Sequence, residues 1–306
     1  MRSRHALLGV LIVAAGWAAV PPAAGQGRFP AILDAKLEAA VRAVGDGLDG
    51  VLGLALKDLT TGRTLLVNER EIFPQASSIK IPVLLEVFKQ AEEGRLGLAE
   101  LLAVDEARKV AGSGILLHLG PPELKLSVRD AAVLMIVLSD NTATNLLIDK
   151  VGLEAVNRRL DGLGLRNTRL RRRMMDLEAA REGRENVSTP LEMMTLLERI
   201  WRGGLLADPL RADLLGILAI PKDSPIRAGV AEGVEVAEKP GELEAVRCDS
   251  GIVMLPGRPY VLCVMTTYLK RDGDGNPAIE RISRLVHDHF ARLARSSPIG
   301  RIVSDK

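Results

Sequence analysis

Apolar residues recur three and four positions apart over residues 29–48, at Ile32, Leu33, Leu37, Ala40, Val41 and Val44, and the run ends in a glycine-rich break at 45–50. That spacing lays one apolar stripe along a helix. The period then changes. Residues 51–59 and 63–68 run or alternate apolar on either side of Thr60-Thr61-Gly62, which is the pattern of a β-hairpin. From about 77 to 203 the helical period returns, in 81–92, 128–138, 142–151, 153–163 and 190–201. Strand character reappears at 252–255 and 260–265 around the turn Pro256-Gly257-Arg258-Pro259. An amphipathic helix over 277–293, carrying Ile279, Ile282, Leu285, Val286 and Phe290, closes the pattern. Strands at both ends with helices between them predict an α+β fold: an antiparallel sheet flanked by N- and C-terminal helices, with an inserted all-α lobe. The sheet lobe is assigned about 30–70 and 205–296, the helical lobe about 77–203, within one domain over 26–306. A cleft between two lobes is a common place for a small-molecule site.

The first residues break this pattern. Arg2 and Arg4 precede an almost wholly apolar stretch, 6–20, and the small, turn-forming segment 21–25. This predicts a secretory signal peptide over 1–25, cleaved near Ala23-Ala24-Gly25, because the apolar core is shorter than the roughly 20 residues of a membrane span. The mature chain is then expected to be periplasmic or secreted, with no later apolar segment long enough to cross a bilayer. Export permits a disulfide, so Cys248 and Cys263 need a test. Pairing the strands about the 256–259 turn sets Cys263 opposite Gly251 or Ile252, too far from Cys248 for a bridge, and two free thiols are expected.

Composition narrows the function classes. A net charge of +2 and 3% aromatic residues exclude a nucleic-acid surface built from basic patches and stacking rings. Three short segments carry chemistry instead. In FPQASSIKIP, over 73–82, Ser77 stands where a helix should begin and Lys80 falls one turn later on the same face. A serine hydroxyl is a poor nucleophile until a base takes its proton, and a desolvated lysine can be that base. Ser139-Asp140-Asn141 gathers polar groups at a junction between two helices, and Glu238-Lys239-Pro240-Gly241 puts a lysine and a glycine at a sheet edge, where backbone can approach an anionic substrate. Each segment alone also reads as ordinary capping or turn chemistry.

Together, in this order, SSIK, SDN and KPG resemble the Ser-x-x-Lys, Ser-Asp-Asn and Lys-Thr-Gly set of class A β-lactamases and penicillin-binding serine hydrolases. The likeness covers roughly residues 30 to 296 and includes LSDNTATNLLID. It implies a β-lactamase/transpeptidase-like fold and an exported serine hydrolase that forms an acyl-enzyme. β-Lactam hydrolysis is the first expectation. A D,D-peptidase or esterase of the same fold, or a non-catalytic penicillin-binding protein, is the alternative. Carried over, the resemblance makes Ser77 the nucleophile, Lys80 its proton acceptor, Ser139 a proton shuttle and Asn141 a substrate-amide contact. Lys239 supplies positive charge, Gly241 allows close substrate approach, and the backbone N–H groups of Ser77 and Glu242 form the oxyanion hole. A small β-lactam, peptide or ester is the expected partner of a monomer, with no cofactor and no metal. His5 lies in the signal segment, His118 has no role, and His287 and His289 are expected on a solvated face of the closing helix.

The chain departs from the resemblance in three places. Anchoring on Asn167-Thr168-Arg169-Leu170 sets Met174 where the family has a water-activating glutamate, and Glu178 where it has asparagine. Glu178 or Asp176 stands in for the missing base, or both are surface charges on a loop that also holds Arg171, Arg172, Arg173, Arg181 and Arg184. Pro240 lacks the hydroxyl and N–H of a threonine beside the lysine. No arginine directly precedes Gly251, and Arg247 is the candidate to replace that charge. A positioned general base contributes roughly 10²- to 10⁴-fold, so acylation with slow deacylation is expected.

Overall fold

The computed structural model describes residues 29–120, 124–297 and 299–302; the expected signal peptide, 1–25, lies outside the described residues. Helix α1 (Phe29–Asp46) leads into the hairpin β1 (Val51–Asp58) and β2 (Thr64–Val67), and β3 (Phe73–Pro74) delivers the chain to a 3-10 turn, Ala76–Ile79. Helix α2 (Lys80–Glu92), the short strands β4 (Leu101–Ala103) and β5 (Lys125–Ser127), and helices α3 (Val128–Val137), α4 (Asn141–Val151), α5 (Leu153–Gly162) and α6 (Leu177–Arg181) follow. Strand β6 (Val187–Ser188) pairs with β3, and α7 (Pro190–Arg202), α8 (Asp208–Ala219) and α9 (Pro225–Ala228) return the chain to the sheet. Strands β7 (Val236–Leu243), β8 (Val246–Val253) and β9 (Tyr260–Thr267) complete it before helix α10 (Gly275–Arg295).

The five-stranded sheet runs β2-β1-β9-β8-β7, and every pairing in it is antiparallel. Period-two alternation divides its side chains between two cores. Leu52, Leu54, Leu56, Tyr260, Leu262 and Val264 meet the faces of α1 and α10, while Ala55, Val261, Cys263 and Met265 meet the helical lobe. The alternating strands therefore serve two apolar layers. Helix starts are set by local side chains: Ser127 accepts from the Asp130 N–H at 3.0 Å, and Thr189 accepts from the Glu192 N–H at 3.1 Å ahead of Pro190. A Cβ on Gly53 would lie 2.5 Å from the Phe73 ring and 2.9 Å from the Pro190 ring, so β1 admits the crossing chain only at a glycine.

Three expectations need correction, and one helix was not foreseen. The strand expected at 252–255 runs Val246–Val253, because a central strand can bury Arg247 and Asp249 where polar partners exist. Cys263 stands opposite Ser250 and not Gly251 or Ile252, and both cysteines are free and buried. Helix α8 was not signalled by periodicity. His287 and His289 are buried, not solvated. His289 lies 3.0 Å from Asp34, which Arg63 also engages, and burial with Arg258, Arg292 and Arg63 nearby pushes its pKa down to about 4, so the ring is neutral at pH 7. Among the described residues no helix is long and apolar enough to cross a membrane.

Candidate active site

Ser77 lies in the 3-10 turn and α2 begins at Lys80, so the serine precedes the helix by one tight turn instead of opening it. Ala76 is held at φ 44°, a left-handed value that side chains other than glycine seldom adopt. Lys80 is fully buried, with Nζ 3.0 Å from Ser77 Oγ, 2.8 Å from the Ser139 carbonyl oxygen, 3.0 Å from Ser139 Oγ and 3.2 Å from Asn141 Oδ1. An ammonium has three protons for these four oxygens. Burial, reinforced by the positive charge of Lys239, lowers the Lys80 pKa well below that of a free lysine, against the opposing pull of Asp140. A deprotonated amine has two N–H groups and one lone pair, and that lone pair can accept the Ser77 proton while Ser139 Oγ donates to Ser77 Oγ at 2.8 Å.

The α3–α4 junction places Ser139 and Asn141. Ser139 takes φ 53°, and Asp140 caps α4 by accepting from the Ala143 N–H at 2.8 Å. The other Asp140 oxygen accepts from Ile115 N–H at 2.7 Å and Leu116 N–H at 2.8 Å, which fastens the 110–116 loop. Asn141 donates to the Ala111 carbonyl at 3.1 Å. The middle residue of SDN is therefore a structural anchor, and its two neighbours face Lys80.

Edge strand β7 forms the opposite wall. Lys239 is 2% exposed and donates to the Pro240 carbonyl at 2.9 Å. Burial pulls its pKa down to about 8, opposed chiefly by Asp249. A Cβ on Gly241 would lie 2.7 Å from the Gln75 carbonyl oxygen and 2.8 Å from the Ser77 nitrogen, so only glycine lets this strand touch the serine turn. A cavity of about 200 Å³ is lined by Ser77, Ser139, Lys239, Pro240, Gly241 and Glu242. Asp223 and Asn276 line it as well, and no local pattern had singled them out. Asp223 stands just before Ser224-Pro225, a segment that signals only the start of α9.

The family described as the β-lactamase enzyme family matches residues 36–290. The chain belongs to this family. A β-lactamase of Streptomyces lavendulae is 31% identical over 245 residues, covering 77% of this chain and 80% of its own length. The β-lactamase L2 of Stenotrophomonas maltophilia is 31% identical, covering 81% and 83%. Among solved structures, the β-lactamase of Sphaerobacter thermophilus has a TM-score of 0.76 at 32% identity, over 84% of this chain and 97% of that one. A PBP-A mutant, in an acyl-enzyme complex with penicillin G, has a TM-score of 0.77 at 30% identity, over 84% and 97%. These comparisons bear out the resemblance and the α+β β-lactamase/transpeptidase-like fold.

Within this β-lactamase-family site, three of the expected substitutes are elsewhere. Glu178 is exposed in the first turn of α6 and does not line the cavity at Ser77. Asp176 caps the same helix, accepting from the Ala179 N–H at 3.0 Å. Met174 is 8% exposed and packs in the helical-lobe core, its N–H donating to Asn145 Oδ1 at 2.8 Å and its carbonyl accepting from Asn145 Nδ2 at 3.1 Å. Arg247 does not replace the missing arginine. Its guanidinium donates to the carbonyls of Leu243 and Val246 and pairs with Glu242 at 2.7 Å, at the β7–β8 turn.

Proposed function

We propose that this chain is an exported serine hydrolase that is acylated at Ser77 by β-lactams and releases the acyl group slowly. The observation that carries the first half is the contact of the fully buried Lys80 amine with Ser77 Oγ at 3.0 Å. Lys80 takes the serine proton as Oγ attacks the lactam carbonyl. The oxyanion is held by the backbone N–H groups of Ser77 and Glu242. When the tetrahedral intermediate collapses, the C–N bond breaks and the proton passes through Ser139 to the leaving nitrogen, so that charge and atoms balance. Asn141 contacts the acyl side-chain amide, and Lys239 and Gly241 serve substrate approach.

Slow release rests on Met174, which puts a thioether where the family pattern has a carboxylate, and on the exposure of Glu178. That arrangement also favours a second reading, a penicillin-binding protein that stays acylated, and the acyl-enzyme described for the PBP-A mutant is consistent with it. A time course with a chromogenic cephalosporin and intact mass separates the two. The expected result is one equivalent of fast product, a mass adduct absent in Ser77→Ala, and slow steady turnover. A burst with no turnover selects the second reading, and no adduct overturns both. Met174→Glu should accelerate release, up to the roughly 10²- to 10⁴-fold that a positioned base supplies, while Met174→Gln should not.

A further inference from the structure

Among the described residues that line the Ser77 cavity, two are acids, Asp223 and Glu242, and one is a cation, the buried Lys239. Ser113, Ser139 and Asn276 line it as uncharged donors and leave that balance of charge unaltered. Two free carboxylates against one ammonium would give the cavity an excess negative charge and repel an anionic ligand. Arg247 changes the count. It stands opposite Glu242 in the β7–β8 pairing, and its guanidinium engages the Glu242 carboxylate at 2.7 Å. The arginine is buried, and a second guanidinium nitrogen donates to the Leu243 and Val246 carbonyls at 2.6 and 2.8 Å, so the cation is fixed at the turn and Glu242 comes to it. Asp272 lies 3.8 Å from the nitrogen that holds Glu242, and its other oxygen accepts the Ala245 N–H at 2.7 Å. A Cβ on Gly275 would lie 2.6 Å from Arg247 Cγ, so the start of α10 admits this arginine only at a glycine, and the next residue is the cavity-lining Asn276. The ion pair therefore sits at the edge of the cavity.

We infer that Arg247 is a positioning residue that neutralises Glu242 at the edge of the Ser77 cavity and so keeps the cavity open to acyl donors that carry a carboxylate. The inference rests on the acylation of Ser77 proposed above and concerns the carboxylate that penicillins and cephalosporins bear. With Glu242 paired, Lys239 faces Asp223 alone, the walls balance, and Ser113, Ser139 and Asn276 can add neutral hydrogen bonds to an incoming anion. With Arg247 removed, the Glu242 carboxylate would oppose that anion.

The test uses the full-length protein and two phenylacetyl thioesters, one leaving 4-mercaptobenzoate and the other the uncharged 4-mercaptobenzamide. Ser77 Oγ bonds to the thioester carbon, the C–S bond breaks, and the serine proton leaves with the thiol. Both donors give the same phenylacetyl-enzyme, so the ratio of their first-turnover thiol-release rates reports acylation alone. The Glu242 side chain is 65% exposed, so the effect has the size of a surface ion pair. Arg247→Met should lower the benzoate-to-benzamide ratio about two- to fivefold, and adding Glu242→Gln should restore it. High salt should shrink the loss. Glu242→Gln alone should raise the ratio, because the guanidinium then faces an uncharged neighbour, and this exposed variant decides the matter if Arg247→Met does not fold. An unchanged or lower ratio in Glu242→Gln overturns the assignment and leaves the acyl-enzyme reading intact. An equal loss with both donors in Arg247→Met, not restored by Glu242→Gln, also overturns it, because the arginine would then only shape the β7–β8 turn. No adduct from either donor overturns this inference together with the proposed function.

Discussion

In the proposed mechanism two buried lysines serve Ser77, and burial has opposite consequences for them. Desolvation disfavours the ammonium form of Lys80, which is what the proposed role of base requires. The same penalty weakens Lys239, whose usefulness is its positive charge, and the buried Asp249 opposes that loss. The acylation rate should therefore rise as pH passes upward through the Lys80 pKa and fall again as Lys239 loses its proton near pH 8. Lys239→Arg keeps the charge at all accessible pH, so its basic limb should move upward or vanish, at some cost in rate because a planar guanidinium does not fit an ammonium site. A pH profile of kcat/KM for acylation checks this, and an unchanged basic limb in Lys239→Arg would assign that limb to another group.

At the scale of elements, the site depends on how closely β7 approaches the 3-10 turn. Gly241→Ala puts a methyl 2.7 Å from a backbone oxygen and 2.8 Å from the Ser77 nitrogen, where neither neighbour is the end of a flexible side chain. Overpacking of this kind costs about 1–3 kcal/mol, so a melting temperature lowered by several degrees, with acylation reduced more than in proportion to folded protein, is expected. Wild-type acylation in a folded Gly241→Ala variant would mean that β7 does not contribute to the oxyanion site. The contact between these elements also shows what the residues disclosed in advance. Ser77, Lys80, Ser139 and Lys239 were legible as a set because their residue types recur in short, ordered segments, and the structure places Ser77, Ser139 and Lys239 at one cavity with Lys80 against the two serines. Strand β8 was cut short because Arg247 and Asp249 look polar in sequence and are buried where the β7–β8 turn and Ser224 supply their partners. Asp223 and Asn276 were invisible because their meaning comes from a cavity closed by distant segments. His289 was misplaced for the same reason, since the closing helix carries it toward Asp34 on α1.

Across the whole molecule, two buried titrating groups on distant parts of the fold should pull stability in opposite directions over nearly the same pH window. Glu238, fully buried on β7, engages Arg227 at 3.0 Å and Lys222 at 3.4 Å, yet burial outweighs these cations and raises its pKa to about 7 from the usual 4.5. An acid whose folded pKa is raised favours folding below the unfolded value, and that contribution is lost as pH rises toward 7. His289, between α10 and α1, is pushed down to about 4 from 6.5, chiefly by burial. Its neutral ring favours folding above 6.5, and that contribution is lost as pH falls toward 4. The wild type should therefore show a shallow stability profile between about pH 4.5 and 6.5, the sum of two slopes of opposite sign. Glu238→Gln removes the falling slope, so its stability should climb with pH across the window. His289→Gln removes the rising slope, so its stability should decline. Urea unfolding at half-unit pH steps reads both, and the slopes can be judged even where a variant lowers stability overall. Parallel profiles for the wild type and the two variants would show that neither group changes its protonation on unfolding in this range.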